Sequence, residues 1–211
     1  MFRVLLLILI VMSSFAFAQT DEKPKALKLD EFERTSDEDV RARIDVFFID
    51  LNNNPTAEGY LISFGTAKEI ALRTKQILAS IKFRKYDPQR ITLVNGGFSG
   101  IMKTECWIVP AGAENPKPES TAKKLTEFGK ATSGEIKRDL DFFYIELNSN
   151  PDYQGYIVNF GSTKAVTARE KEIIRFATFR KYDLSRIKFI KGGVSKTIKT
   201  EFWVDSSKSE N

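Results

Sequence analysis

The sequence contains no histidine and only one cysteine, Cys106, in 211 residues. The first absence excludes the Ser-His-Asp triad, the usual Cys-His pair and the imidazole metal sites, which together make up most recognisable exported hydrolases. The second excludes an internal disulfide, so small domains in this chain must be held by their cores alone. Neither sign of charge dominates: 33 basic against 28 acidic residues give a formal +5. So mild an excess suits contact with anionic wall polymers or membrane surfaces, and equally a merely solvated surface. No cofactor motif is present, and neither a cofactor nor a nucleic-acid partner is expected.

The one long apolar run, Val4 to Met12, follows Met1-Phe2-Arg3 and precedes Ala16-Phe17-Ala18. It is too short for a spanning helix, which needs roughly 20 residues. A short basic start, an apolar middle and small residues before Gln19 are the pattern of a secretory signal peptide over residues 1–18, with an uncleaved amphipathic anchor as the alternative. Residues 19–25 then read as a flexible leader. The mature chain is expected outside the cytoplasm, periplasmic or secreted, with no stable membrane insertion.

Phe83-Arg84-Lys85-Tyr86-Asp87 returns unchanged as Phe179-Arg180-Lys181-Tyr182-Asp183. Sliding the sequence by 96 positions pairs residues 26–110 with 122–206 without a gap, and about two positions in five are identical. A period this long, used twice, argues for two complete domains and against a solenoid, whose units are shorter and need at least about three neighbours. Residues 111–121 carry two prolines and no large apolar side chain, the composition of a linker. Residues 207–211 read as a polar tail.

Within each copy the periodicity alternates. Ala26 to Phe32 and Ala122 to Phe128 are candidate first strands. Ser36 is placed to cap a helix whose first turn is acidic, and Val40, Ile44, Phe47, Phe48 and Leu51 form one stripe on it. Ile136, Leu140, Phe143, Tyr144 and Leu147 repeat that stripe. Asn-Pro at 54–55 and 150–151 stops both helices. Gly59 to Gly65 and Gly155 to Gly161 read as covered strands. A second helix follows, Lys68 to Lys82 or Lys164 to Thr178, with Ile70, Ile77, Leu78 and Ile81 expected inside and Arg73 and Lys75 elsewhere. Strands starting at Arg90-Ile91 and Arg186-Ile187 lead into paired glycines, which implies a positive-φ turn. A last, reversing strand closes each copy. This order predicts an α/β (α+β) sandwich in each copy: a mixed sheet with two helices on one face.

An amphipathic helix ending in Asn-Pro, the strand Gly-Tyr-Leu-Ile-Ser-Phe-Gly, a helix carrying Arg73 and a strand from Arg90-Ile91 to Gly96-Gly97 together resemble the OmpA-like family. This is the peptidoglycan-binding domain at the C-terminus of outer membrane protein A and in related bacterial envelope proteins. The resemblance covers almost all of each copy and implies two tandem domains of that fold. In the family, a loop aspartate after the second strand takes an ammonium of the wall peptide while the helix arginine takes a carboxylate in a bidentate fork. Here that loop is Gly65-Thr66-Ala67 or Gly161-Ser162-Thr163, shortened and without its aspartate. Arg73 and Arg169 are the positions that carry over. They imply capture of a carboxylate or another anion; the alternative is an exposed helix arginine paired with a neighbour such as Glu69.

The remaining candidates come from the residues themselves. Glu105 and Trp107, like Glu201 and Trp203, share one face of the last strand by the period of two. On a helix-free face they would suit a partner or a sugar ring; otherwise the tryptophan caps the core from an edge. The Phe-Arg-Lys-Tyr-Asp block is either a basic and aromatic contact surface or a plug in which the Phe and Tyr enter the core. Cys106 stands where the second copy has Phe202, so an inward, inert position is expected. Paired carboxylates at Asp45/Asp141, Asp50/Glu146, Asp87/Asp183 and Glu105/Glu201 do not suggest two acids across a cleft. The expected function is therefore a non-catalytic, exported interaction protein of the cell envelope, in contact with another envelope protein. Binding of peptidoglycan or another anionic wall polymer through Arg73 and Arg169 is the alternative.

Overall fold

The computed structural model describes residues 23–206. The expected signal peptide, most of the flexible leader and the polar tail lie outside the described residues. The first half runs β1 (Leu27–Glu33), α1 (Asp37–Asn53), β2 (Glu58–Phe64), α2 (Ala67–Arg84), a 3-10 turn (Pro88–Arg90), β3 (Ile91–Gly97) and β4 (Lys103–Val109). The second repeats it as β5 (Ala122–Phe128), α3 (Ser133–Ser149), β6 (Gln154–Phe160), α4 (Thr163–Phe179), a turn (Leu184–Arg186), β7 (Ile187–Gly193) and β8 (Lys199–Asp205).

The fold is α+β, with two four-stranded mixed sheets in two similar halves, ordered β1-β4-β2-β3 and β5-β8-β6-β7. β2 and β3 are parallel, whereas β4 is antiparallel to both β1 and β2. Both crossovers, β1 to β2 and β2 to β3, progress in the same direction across the sheet. Right-handed connections then place both helices on one face. Even the irregularities repeat: bulges fall at Lys28/Asp30 and Lys124/Thr126, and at Ser63/Phe64 and Asn159/Phe160.

Local chemistry fixes the helix ends. The Ser36 hydroxyl accepts from Asp39 N–H, and Thr66 with Glu69, like Thr132 with Glu135, forms a reciprocal capping box. At the other end, Arg90 Nη2 donates to the carbonyls of Leu51, Asn54 and Ala57 at 2.8 to 3.0 Å, and Arg186 does the same to Leu147, Asn150 and Tyr153. Leu51 and Asn54, like Leu147 and Asn150, each accept only a turn-type N–H from three residues on, so the arginine at the start of each third strand adds donors there and ties down the helix-to-strand loop.

Both expected helix stripes are buried, and each packs on its own sheet to make one core per half. Gly59 and Gly155 permit this closeness, since a Cβ there would meet the ring of Phe47 or Phe143 at 2.6 Å; on the other face a Cβ at Gly96 or Gly192 would meet Phe64 or Phe160 at 2.5 or 2.4 Å. The positive φ expected at the glycine pairs falls on the second member, Gly97 (93°) and Gly193 (131°). Two expectations need correction. Leu78 is exposed, as is its counterpart Ile174, and the inner stripe of α2 is Ile70, Arg73, Ile77, Ser80 and Ile81. Phe83 is likewise outside the core, because it is still part of α2 and its helical register turns it away from Ile77 and Ile81; the chain then leaves the helix through Lys85 at φ 58° and sends Tyr86 inward.

The halves meet asymmetrically. The loop Phe98-Ser99-Gly100 of the first half lies on the helix-free face of the second sheet, with Phe98 4.5 Å from Trp203 and 6.0 Å from Tyr156 between ring centres. Asp205 receives the Gly100 N–H at 3.1 Å and the Thr121 hydroxyl at 2.5 Å. The shift of 96 places Lys196 at the Gly100 position and Val109 at the Asp205 position, so the second half has neither part of this contact. Its own loop residue Val194 is 96% exposed.

Candidate functional site

Arg73 sits on the buried side of α2 with 1% of its surface exposed. Its Nη2 donates to the Glu33 carbonyl at 3.3 Å, and the guanidinium lies 4.8 Å from the centre of the Phe32 ring. Nε and Nη1 have no hydrogen-bond partner. The reading of an exposed arginine paired with Glu69 is therefore overturned. Glu69 is engaged by Thr66 and by Arg34.

Arg169 occupies the matching place in α4 and is also buried. Its Nη2 donates to the Gly129 carbonyl at 3.0 Å and its Nη1 to the Thr200 hydroxyl at 2.9 Å, which in turn donates to Asn159 Oδ1 at 2.8 Å. The first half has Ser63 where Asn159 stands, and Thr104, the counterpart of Thr200, has an unpartnered hydroxyl. Burial lowers the pKa of both arginines, since a charged group is penalised away from water. Each guanidinium braces its second helix against the end of the first strand. The brace uses two guanidinium nitrogens in the second half, where the unmatched donor is Asn159 Nδ2, and leaves two guanidinium nitrogens unmatched in the first.

Glu105 and Trp107 lie on the face away from the helices, while Cys106 between them enters the core. The indole Nε1 donates to Glu105 Oε2 at 3.0 Å, and Lys103 Nζ takes Oε1 at 2.9 Å. Lys28 lies over the Trp107 ring at 5.7 Å. The second half repeats the set with Glu201, Trp203, Lys199 and Lys124. Both carboxylate oxygens are thus occupied, and Glu105 and Glu201 are buried. These residues order the sheet surface, and in the second half that surface carries the docked Phe98 loop.

The Phe-Arg-Lys-Tyr-Asp block divides residue by residue. Tyr86 stacks on Phe48 at 3.5 Å and Tyr182 on Tyr144 at 4.0 Å. Arg84 pairs with Asp45 and Arg180 with Asp141. Lys85 and Lys181 adopt the left-handed conformation, and Asp87 and Asp183 cap the 3-10 turns. Phe83 and Phe179 point to solvent, 77% and 78% exposed. Cys106 is fully buried, which pushes its thiol up to about 12. Among the described residues, no group of three or more Cys, Asp or Glu could hold a metal ion, and no helix is long and apolar enough to cross a membrane.

The structure therefore keeps Arg73 and Arg169 apart, one in each core, and joins each Glu to its Trp. Sequence reasoning missed the inward turn of the arginines, although Arg73 stands three residues after Ile70 and four before Ile77. It also missed the docked loop, whose signal was Phe98, Gly100 and Asp205 departing from Val194, Lys196 and Val109. No protein-family model matches the chain, and a search of curated proteins finds no match either.

Proposed function

We propose that the chain is an exported, non-catalytic interaction protein of the bacterial cell envelope, built from two degenerate OmpA-like units over residues 26–110 and 122–206, and that it works through protein–protein contact. One observation carries this reading. Large apolar side chains are exposed at the same places in both halves: Val46 and Phe142, Ile49 and Ile145, Leu78 and Ile174, Phe83 and Phe179. Isolated surface apolar residues are ordinary, but four matched pairs on two helical layers are what a reused contact surface requires. The arginines that would grip a wall peptide are meanwhile engaged with backbone carbonyls. Immobilised protein incubated with envelope extract is expected to retain specific envelope proteins. Recovery of peptidoglycan sacculi and no protein would overturn the reading.

A second reading rests on the unmatched Nε and Nη1 of Arg73. An anionic wall component reaching that guanidinium would satisfy donors the fold leaves idle. Sedimentation with purified sacculi decides it: equal recovery of wild type and the Arg73→Ala/Arg169→Ala variant ends this version.

A further inference from the structure

In each half the two helices run side by side, as shown by Gln76 reaching Asp37 and Arg84 reaching Asp45. A groove opens to solvent between them. In the first half it has a volume of about 510 Å³ and is lined by Leu72, Ala79 and Phe83, with Arg41 and Lys75 at its rim. In the second half the groove is about 240 Å³, lined by Ile136, Phe176 and Phe179, with Lys137 and Arg175 at its rim. The smaller volume follows from Phe176 standing where the first half has Ser80.

The charges around the grooves are unbalanced in one direction. The acid in the first groove, Asp37, receives Gln76 Nε2, and the acid in the second, Glu172, receives the Ser133 hydroxyl. The nearby Asp45 and Asp141 are used by Arg84 and Arg180. Arg41 Nε donates to the Asp37 carbonyl and Lys137 lies over the Phe176 ring. Among the described residues, Arg41, Lys75, Lys137 and Arg175 form no ion pair. A neutral donor leaves each acid charged, so each groove sets an apolar wall, ended by an exposed phenylalanine, among two cations and one carboxylate, an excess of one positive charge.

We propose that each groove takes an acidic polypeptide segment with apolar anchors. The anchors seat against Phe83 or Phe179, and the flanking carboxylates meet Arg41 and Lys75 or Lys137 and Arg175. This deepens the interaction reading above and rests on it. Concavity favours inserted side chains over a flat lipid surface, and complementary charge at the rim sets orientation and association rate. Two grooves on one chain give a partner with two such segments an avidity that neither groove has alone.

The probe is a fluorescein-labelled synthetic amphipathic helix with leucines on one face and glutamates on the flanks, read by fluorescence anisotropy. A version with lysine for glutamate serves as its comparison, and phosphatidylglycerol vesicles test the lipid alternative. The glutamate peptide is expected to bind wild type and to weaken as salt rises. Phe83→Ser/Phe179→Ser is expected to lose about tenfold in affinity, as an interface anchor would. Arg41→Glu/Lys137→Glu is expected to lose as much and to gain the lysine peptide. All four positions are exposed, so circular dichroism and melting should stay unchanged. Equal binding of both peptides, unaffected variants, or vesicle binding without peptide binding would overturn the proposal. Envelope proteins retained equally by wild type and both variants would sink the grooves alone and leave the interaction reading standing. Retention of sacculi and no protein would sink that reading as well.

Discussion

Gly100 lies so close to Tyr156 that a Cβ carbon on it would sit 1.9 Å from Cζ of the ring. An aromatic ring flanked by β-strand neighbours cannot bend away, so a methyl group there forces the two halves apart. Gly100→Ala is expected to release the Phe98 loop at a cost of about 1–3 kcal/mol, the usual range for overpacking. Small-angle scattering should report a larger radius of gyration, and protease should cut residues 111–121 faster. Lys196→Ala, the matched change in the second half, is the control and should alter neither. A Gly100→Ala protein as compact as wild type would show that the halves do not depend on this contact.

The two buried arginines should respond differently to removal. Arg169 satisfies a carbonyl and a hydroxyl, so Arg169→Met leaves Gly129 and Thr200 short of a donor and is expected to cost about 1–3 kcal/mol. Arg73 makes one long backbone bond and carries two unmatched nitrogens. Replacing such a buried charge by an apolar side chain of similar length is often neutral or stabilising. Arg73→Met is therefore expected within about 1 kcal/mol of wild type by chemical denaturation. Equal losses in the two variants would mean that both arginines are fully used.

This difference marks how far the sequence could be read. The α1 and α3 stripes, the Ser36 cap and the glycine pairs were legible because their causes are local, within a few residues of each other. Arg73 was misplaced because charge argues for solvent, and only its spacing from Ile70 and Ile77 argued otherwise. What holds it inside is a carbonyl 40 residues away, at Glu33, which no local pattern reveals. Phe83 was misplaced for a different reason: it belongs to the last turn of α2, whose register turns it away from Ile77 and Ile81, and the chain turns inward at Tyr86 only after Lys85, a left-handed residue without glycine's signature. The contact between the halves was invisible in any single copy, since Gly100 and Asp205 are 105 residues apart.

Cys106 offers a clock for the first half. Burial holds its thiol protonated, with the pKa pushed up to about 12, and nothing in the second half can react. A thiol reagent at neutral pH is expected to label the native protein only as the first half opens. The labelling rate should therefore rise in Phe48→Ala, which removes the ring that Tyr86 stacks on, a change of about 3–5 kcal/mol for a buried phenylalanine. Phe143→Ala, in the other core, should leave the rate largely unchanged if the halves open independently. Immediate labelling of the native wild type would contradict the buried position.

Tyr144 and Tyr156 are each pushed from an ordinary 10.0 up to about 12, in both cases chiefly by burial. A raised folded pKa means that the folded state keeps its proton longer than the unfolded chain does. Their contribution is complete below pH 10 and is lost as pH rises through about 12, so the protein should unfold in that alkaline window. The two hydroxyls differ at neutral pH. Tyr144 donates to the Asp183 carbonyl at 3.1 Å, whereas the Tyr156 hydroxyl has no partner. Tyr144→Phe is expected to cost about 0.5–1.5 kcal/mol and Tyr156→Phe to be neutral or stabilising. Both changes should lessen the alkaline loss, because each removes one titration that opposes folding. Chemical denaturation at neutral pH measures the first two effects. Tyrosinate absorbance followed with circular dichroism against pH measures the third by difference between each variant and wild type, and a step near pH 10 missing from a variant, with the fold intact, would refute the assignment.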